Sequence, residues 1–243
     1  MAGGSFAFRT LRFFIAVLLL PAVAAAALAI YWIMPSMFVR GFPFVSAELL
    51  AVIGGYAAWT LLFAFVPVPT GVYVFGHELT HAAWGLLTGS KIGKITVSGA
   101  GGSCVVSNPG MFTTLAPYFV PFYLVVLLLA WLVAAIWIDM RPYALWGLAA
   151  VGFTYGFHVT YTVKTLVEVE QPDVREYGRF FSYVLIVLVN LLVLGAGLAF
   201  ANGVPIGEYG ADLTNGFSEA YGWTWKTLGM LAVRAAALLR HAG

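Results

Sequence analysis

The sequence is poor in charge. Its 243 residues include 12 Lys or Arg and 10 Asp or Glu, or 9% charged, where a soluble domain carries roughly 25%. So few charges could not cover a globule of this size in water. The same shortage excludes a disordered chain, a coiled coil and a nucleic-acid binder, each of which needs charge. The net charge of +2 is too small to point to a partner of either sign. The single cysteine, Cys104, rules out an internal disulfide. What is abundant is apolar: 62% of residues are hydrophobic and the mean hydropathy is +0.93. These figures predict an all-α polytopic membrane protein whose obvious partner is a lipid bilayer. Its length suits one domain of about six crossings of ~20 residues each.

Arg9 and Arg12 precede a long apolar run that ends in Tyr31 and Trp32. It reads as a retained first helix with interfacial aromatics, the alternative being a cleaved secretory signal, since small-residue cleavage sites are present. A second span covers about residues 44 to 66 and stops at Pro67 and Pro69. Thr70 then serves as N-cap for a third helix over 70–88. Residues 91–107 hold two short β-branched runs around a glycine-rich turn, which predicts a hairpin. A fourth helix, broken at Pro117 and Pro121, runs to about residue 138, a fifth covers about 143–167, and a sixth about 180–201. Between the last two lies EVEQPDVREYGR, the most polar stretch of the chain. The transmembrane domain thus occupies 1–204. Residues 205–243 form a C-terminal segment in which Lys226, Arg234 and Arg240 oppose Leu228, Leu231 and Leu239. That segment reads as an amphipathic helix lying on the membrane, with a seventh crossing as the alternative. If the helices alternate, Lys and Arg divide six against six between the two sides, so the positive-inside rule leaves orientation open.

The third helix contains GHELTH. His77 and His81, four residues apart, project from one helical face, the spacing that lets two imidazole nitrogens meet one zinc ion at about 2.0–2.1 Å. Glu78 sits beside that face, where a carboxylate can take a proton from a water acidified by the metal and later deliver it to a leaving amine. Ionisable groups within an apolar helix cost roughly 2.5–3.5 kcal/mol each, so three within five residues call for a compensating partner, which a bound cation supplies.

An HExxH on an early membrane helix, a glycine-containing hairpin after it, and later helices that complete the site resemble the site-2 protease family of intramembrane zinc metalloproteases. The likeness extends to its small bacterial peptidase-like branch through GHELTHA at the motif, LAPYFVP on the next helix and a later QPD. It covers about residues 70 to 195. The resemblance implies zinc-dependent cleavage of a membrane-spanning protein substrate in a bacterial inner membrane. His77 and His81 would be ligands and Glu78 the catalytic base. Better-known members take a third ligand from an LDG aspartate, and this chain has no LDG.

Two residues can take that place. If the third and fifth helices begin on the same side, the motif lies ~10–16 Å and His158 ~22 Å below the surface. His158 also shares a polar stripe with Thr154, Tyr155, Tyr161, Thr162 and Thr165. Asp173 would then lie at the far surface, unless a re-entrant segment carries QPD inward. His158 is the preferred third ligand on this count and Asp173 the alternative. The prolines at 67, 69, 117 and 121 could open a wet cavity, and the hairpin offers an edge to an extended substrate. Asn108, Tyr155 and Tyr161 are candidates for holding an oxyanion. The competing function is a non-catalytic metal or haem carrier or scaffold using the same histidines; a base between the ligands favours the enzyme.

Overall fold

The computed structural model describes residues 6–34, 46–67, 70–98, 101–168, 170–201 and 203–241. The order of elements is α1 (Phe6–Ile33), α2 (Ala47–Phe65), α3 (Thr70–Leu87), β1 (Ile92–Ser98), β2 (Gly101–Val106), α4 (Met111–Leu115), α5 (Phe122–Ala134), α6 (Ala144–Glu168), α7 (Pro172–Tyr177), α8 (Arg179–Ala201) and α9 (Ile206–His241). The protein is mainly helical with one small sheet, as the composition predicts. α1, α2 and α8 are long and apolar enough to cross a membrane, and the α4/α5 pair adds a fourth if it is one broken span. The expected six crossings are therefore not reached among the described residues. α3 and α6, which would complete them, lose hydropathy to the His, Glu and Lys they carry.

Local chemistry explains the boundaries. Ser46 caps α2, its hydroxyl accepting from the Leu49 N–H at 3.1 Å. Pro69, and with it the turn into α3, lies outside the described residues. Pro117 and Pro121 bend the fourth apolar run by 83°, with one 3-10 turn, Ala116–Tyr118, at the corner. The predicted hairpin is present. β1 and β2 pair antiparallel with Ile95 opposite Cys104 and Ser98 opposite Gly101.

The chain packs as two units. The first contains α2 to α7 and the first residues of α8. Its spine is the contact of α2 with α6, where backbones approach so closely that a Cβ at Gly152 would lie 1.9 Å from the Val52 carbonyl oxygen, and one at Gly55 1.8 Å from that of Ala149. Small residues permit such packing between apolar helices, whose association relies on van der Waals contact. Trp59 donates its indole N–H to the Thr160 hydroxyl at 2.7 Å and anchors a buried cluster with Tyr73, Phe157 and Tyr161. That cluster ties α3 to the spine, since Tyr73 stacks on Tyr161 with ring centroids 4.9 Å apart.

Gly152→Val is expected to cost more than the ~1–3 kcal/mol usual for overpacking, because the obstacle is backbone that cannot rotate away. Gly54, where an added Cβ would meet nothing within 4 Å, is the control. Gly54→Ala should leave the thermal midpoint of detergent-solubilised protein unchanged or slightly higher, whereas Gly152→Val should abolish the monodisperse species.

The second unit contains α1, the rest of α8, and α9. α1 buries a stripe of Ala16, Ala22, Ala25, Ala26, Ala29 and Ile33. α9 lies antiparallel along it: Gly216 abuts the Ala25 carbonyl, and the Tyr221 hydroxyl donates to the Leu18 carbonyl at 2.7 Å. α9 begins at Ile206, and its distal half exposes Leu228, Leu231, Leu238 and Leu239 as well as Lys226, Arg234 and Arg240.

Candidate metal centre

α3 brings His77 and His81 together one turn apart, with ring centroids 4.9 Å from each other. Their Nε2 atoms face the same carboxylate oxygen: Asp173 Oδ2 lies 3.5 Å from that of His77 and 3.3 Å from that of His81. All three ligand atoms lie within 4.8 Å of one another, the only such group of His, Cys, Asp or Glu among the described residues. These separations discriminate between two readings. A charge-assisted N–H···O bond is about 2.7–2.9 Å long, shorter than either contact. The edge of a tetrahedron with bonds of about 2.0–2.1 Å is roughly 3.3–3.4 Å, close to both. The two distances to Asp173 Oδ2 suit donors around one cation better than hydrogen bonds to a carboxylate, and the two histidine nitrogens lie within 4.8 Å of each other.

The outer contacts orient the imidazoles. His81 Nδ1 lies 3.0 Å from the Thr113 carbonyl oxygen. A carbonyl can only accept, so Nδ1 carries the proton and Nε2 keeps its lone pair for a metal. His77 Nδ1 meets the Tyr73 hydroxyl at the longer distance of 3.4 Å.

Asp173 reaches the histidines because the polar stretch turns back after α6. Gln171 stands at the α7 N-cap position in extended backbone, Pro172 opens the helix, and Gly178 ends it at φ +93°, a conformation natural to glycine. Val174 is buried, and the Ser182 hydroxyl donates to its carbonyl at 3.2 Å. The Tyr118 hydroxyl lies 3.2 Å from Asp173 Oδ2 and also from Gln171 Oε1. At the exposed end, Glu170 pairs with Arg175 and Arg179.

His158, preferred as third ligand on depth, does not join this group; Asp173 does. The depth count assumes that α3 and the helix of His158 begin on the same side. Side-chain order runs the other way: Tyr73, early in α3, stacks on Tyr161, while Gly76 and Thr80, later in α3, share a cavity with Thr154 and His158, earlier in α6. The end of α6 therefore lies near the start of α3, and the short return through α7 suffices to bring Asp173 in.

Glu78 is buried, 6% exposed, and turns toward the hairpin. A Cβ on Gly102 would lie 2.7 Å from Glu78 Cγ and Oε1 and 2.6 Å from Val74 Cγ1. The strand can pass this close to the carboxylate only because Gly102 has no side chain. Of the oxyanion candidates, Tyr161 is committed to the aromatic cluster, Tyr155 lies with its ring 6.3 Å from that of His158, and Asn108 occupies a left-handed turn at φ 47° after β2. Two contacts of the site are not foreseeable from residue type. Tyr118 sits in LAPYFVP, which marks a proline break and a resemblance but no role for its tyrosine, and the Thr113 carbonyl is backbone, which leaves no mark in the sequence.

Together these groups form a partly buried two-histidine, one-carboxylate donor set that could hold a metal ion, with a second carboxylate beside it on the hairpin side. Comparison with protein-family models, with curated proteins and with solved structures returned no match.

Proposed function

We propose that this chain is an intramembrane zinc endopeptidase that hydrolyses a peptide bond in a membrane-spanning protein. The observation that carries the reading is the donor set itself, two imidazole nitrogens facing one carboxylate oxygen at 3.5 and 3.3 Å, with Glu78 placed between the two histidines in sequence. Two neutral imidazoles and a carboxylate suit zinc, and three protein ligands are the number that leaves a position open for chemistry. When bound, the metal supplies Lewis acidity at the scissile carbonyl and to water.

The protein's own residues do the rest. His77, His81 and Asp173 fix the metal's place. Glu78 takes one proton from the attacking water as the new C–O bond forms, then returns it to the amide nitrogen as the C–N bond breaks. The immediate products are a carboxylic acid and an amine, and transfer of the acid's proton to the amine leaves a carboxylate and an ammonium. A substrate segment that unwinds beside α3 can add to the free edge of β2, with Gly102 keeping the strand close to Glu78. The resemblance to the site-2 protease family in GHELTHA, LAPYFVP and QPD supports the same reaction and a bacterial inner membrane as its setting. Asp173 of QPD takes the third-ligand role in this reading.

The test is metal removal. Protein purified in detergent is expected to carry one zinc per chain. When it is reconstituted with a single-span substrate, 1,10-phenanthroline should stop cleavage and equimolar zinc should restore it. Purified protein that takes up no zinc, or cleavage that persists after zinc is stripped, would overturn the proposal.

A further inference from the structure

The two ligand histidines are unequally supported. His81 has a carbonyl acceptor at 3.0 Å, whereas the Nδ1 contact of His77 is a tyrosine hydroxyl at 3.4 Å, beyond the usual 2.7–3.2 Å for such a bond. Metal-bound histidines almost always donate their second N–H to a firm partner. His77 lines a small cavity of about 20 Å³ whose mainly apolar wall also includes the polar residues Tyr73, Thr80, Tyr123, Thr154 and His158. A void needs ~10–15 Å³ to hold one water and two to four polar partners to keep it there, so this one has room for a single molecule.

Its polar lining is suited to the purpose. The Thr80 and Thr154 hydroxyls already donate, to the Gly76 carbonyl at 2.7 Å and the Ala150 carbonyl at 2.8 Å, and so keep lone pairs with which to accept. An imidazole at 158 adds a nitrogen that can accept or donate. A water here would accept from His77 Nδ1–H and give its own protons to His158 and a threonine oxygen. From this geometry we infer that the cavity holds one buried water that serves as the outer partner of His77, and that His158 is the positioning residue that anchors it. The inference rests on the zinc reading above. It gives His158 a role behind the ligand and none on the metal.

Zinc affinity tests it, measured by competition with a chromogenic chelator on purified full-length protein. His158→Leu should weaken zinc binding about 10–100-fold, the range for loss of an outer partner. His158→Gln, which keeps a donor and an acceptor, should stay within about threefold of the original chain. The zinc X-ray absorption spectrum of the unmodified protein should fit two imidazoles. Unchanged affinity in His158→Leu would overturn the inference, and so would a fit to three imidazoles, which would make His158 a ligand itself. If His158→Leu does not fold, the near-isosteric Thr154→Val removes one acceptor from the cavity. It should weaken zinc several-fold, and no change there also overturns the inference. An unmodified chain that binds no zinc refutes the metal centre; one that binds zinc regardless of residue 158 refutes only the buried water.

Discussion

On the proposed zinc-peptidase reading, Glu78→Gln is expected to retain zinc and to cut substrate on the order of 10²–10⁴-fold more slowly, the contribution typical of a general base. The substitution changes little else. Glutamine has nearly the shape of glutamate, so the close passage of Gly102 survives, and His77, His81 and Asp173 are untouched. What disappears is the oxygen that can accept a proton from water. The measurement is a pair of readings on one preparation: zinc per chain, and the single-turnover rate on a reconstituted single-span substrate. Retained zinc with a rate near that of the unmodified chain would remove Glu78 from the mechanism. A carrier or scaffold would show no proteolysis before or after the change.

Asp173→Ala should have the largest effect on the metal, exceeding the roughly 10–100-fold that follows loss of an outer-shell partner. A direct donor disappears, and with it the only negative charge among the three ligands. The ligand set falls to two imidazoles, fewer than the three protein ligands of a catalytic zinc site. Asp173→Asn keeps the shape but not the charge and should fall between the two. The Tyr118 hydroxyl, now 3.2 Å from Asp173 Oδ2, would retain Gln171 as an acceptor, so the segment around α7 has reason to keep its place. If the alanine variant holds zinc normally while His158→Leu loses it entirely, the assignment of the third ligand is reversed.

The parts of this site legible in sequence are those fixed by local geometry. His77 and His81 share a face because residues four apart on a helix always do, and the hairpin follows from β-branched runs around glycines. The prolines of the fourth apolar run mark a break, but nothing in them specifies a bend of 83°. Asp173 is the hardest to place because its position depends on a relation between distant elements. Whether α3 and α6 run with or against one another reverses every estimate of depth, and that relation is set by the stacking of Tyr73 on Tyr161. The close passage of Gly152 past Val52 is equally hidden, since a glycine in a membrane helix reads the same whether or not it faces a neighbour.

The α2/α6 seam also acts as a length standard. Backbone touches backbone there, so the seam has no side-chain slack with which to absorb a displacement. α3 is referenced to it through Trp59, Tyr161 and Tyr73, and His77 lies one turn beyond Tyr73. Metal–ligand distances tolerate errors of only about ±0.2 Å. A methyl group that wedged the seam apart by an ångström would therefore spoil the mutual spacing of His77, His81 and Asp173 at a distance. The glycines at 55 and 152 set the calibration of a site they never touch.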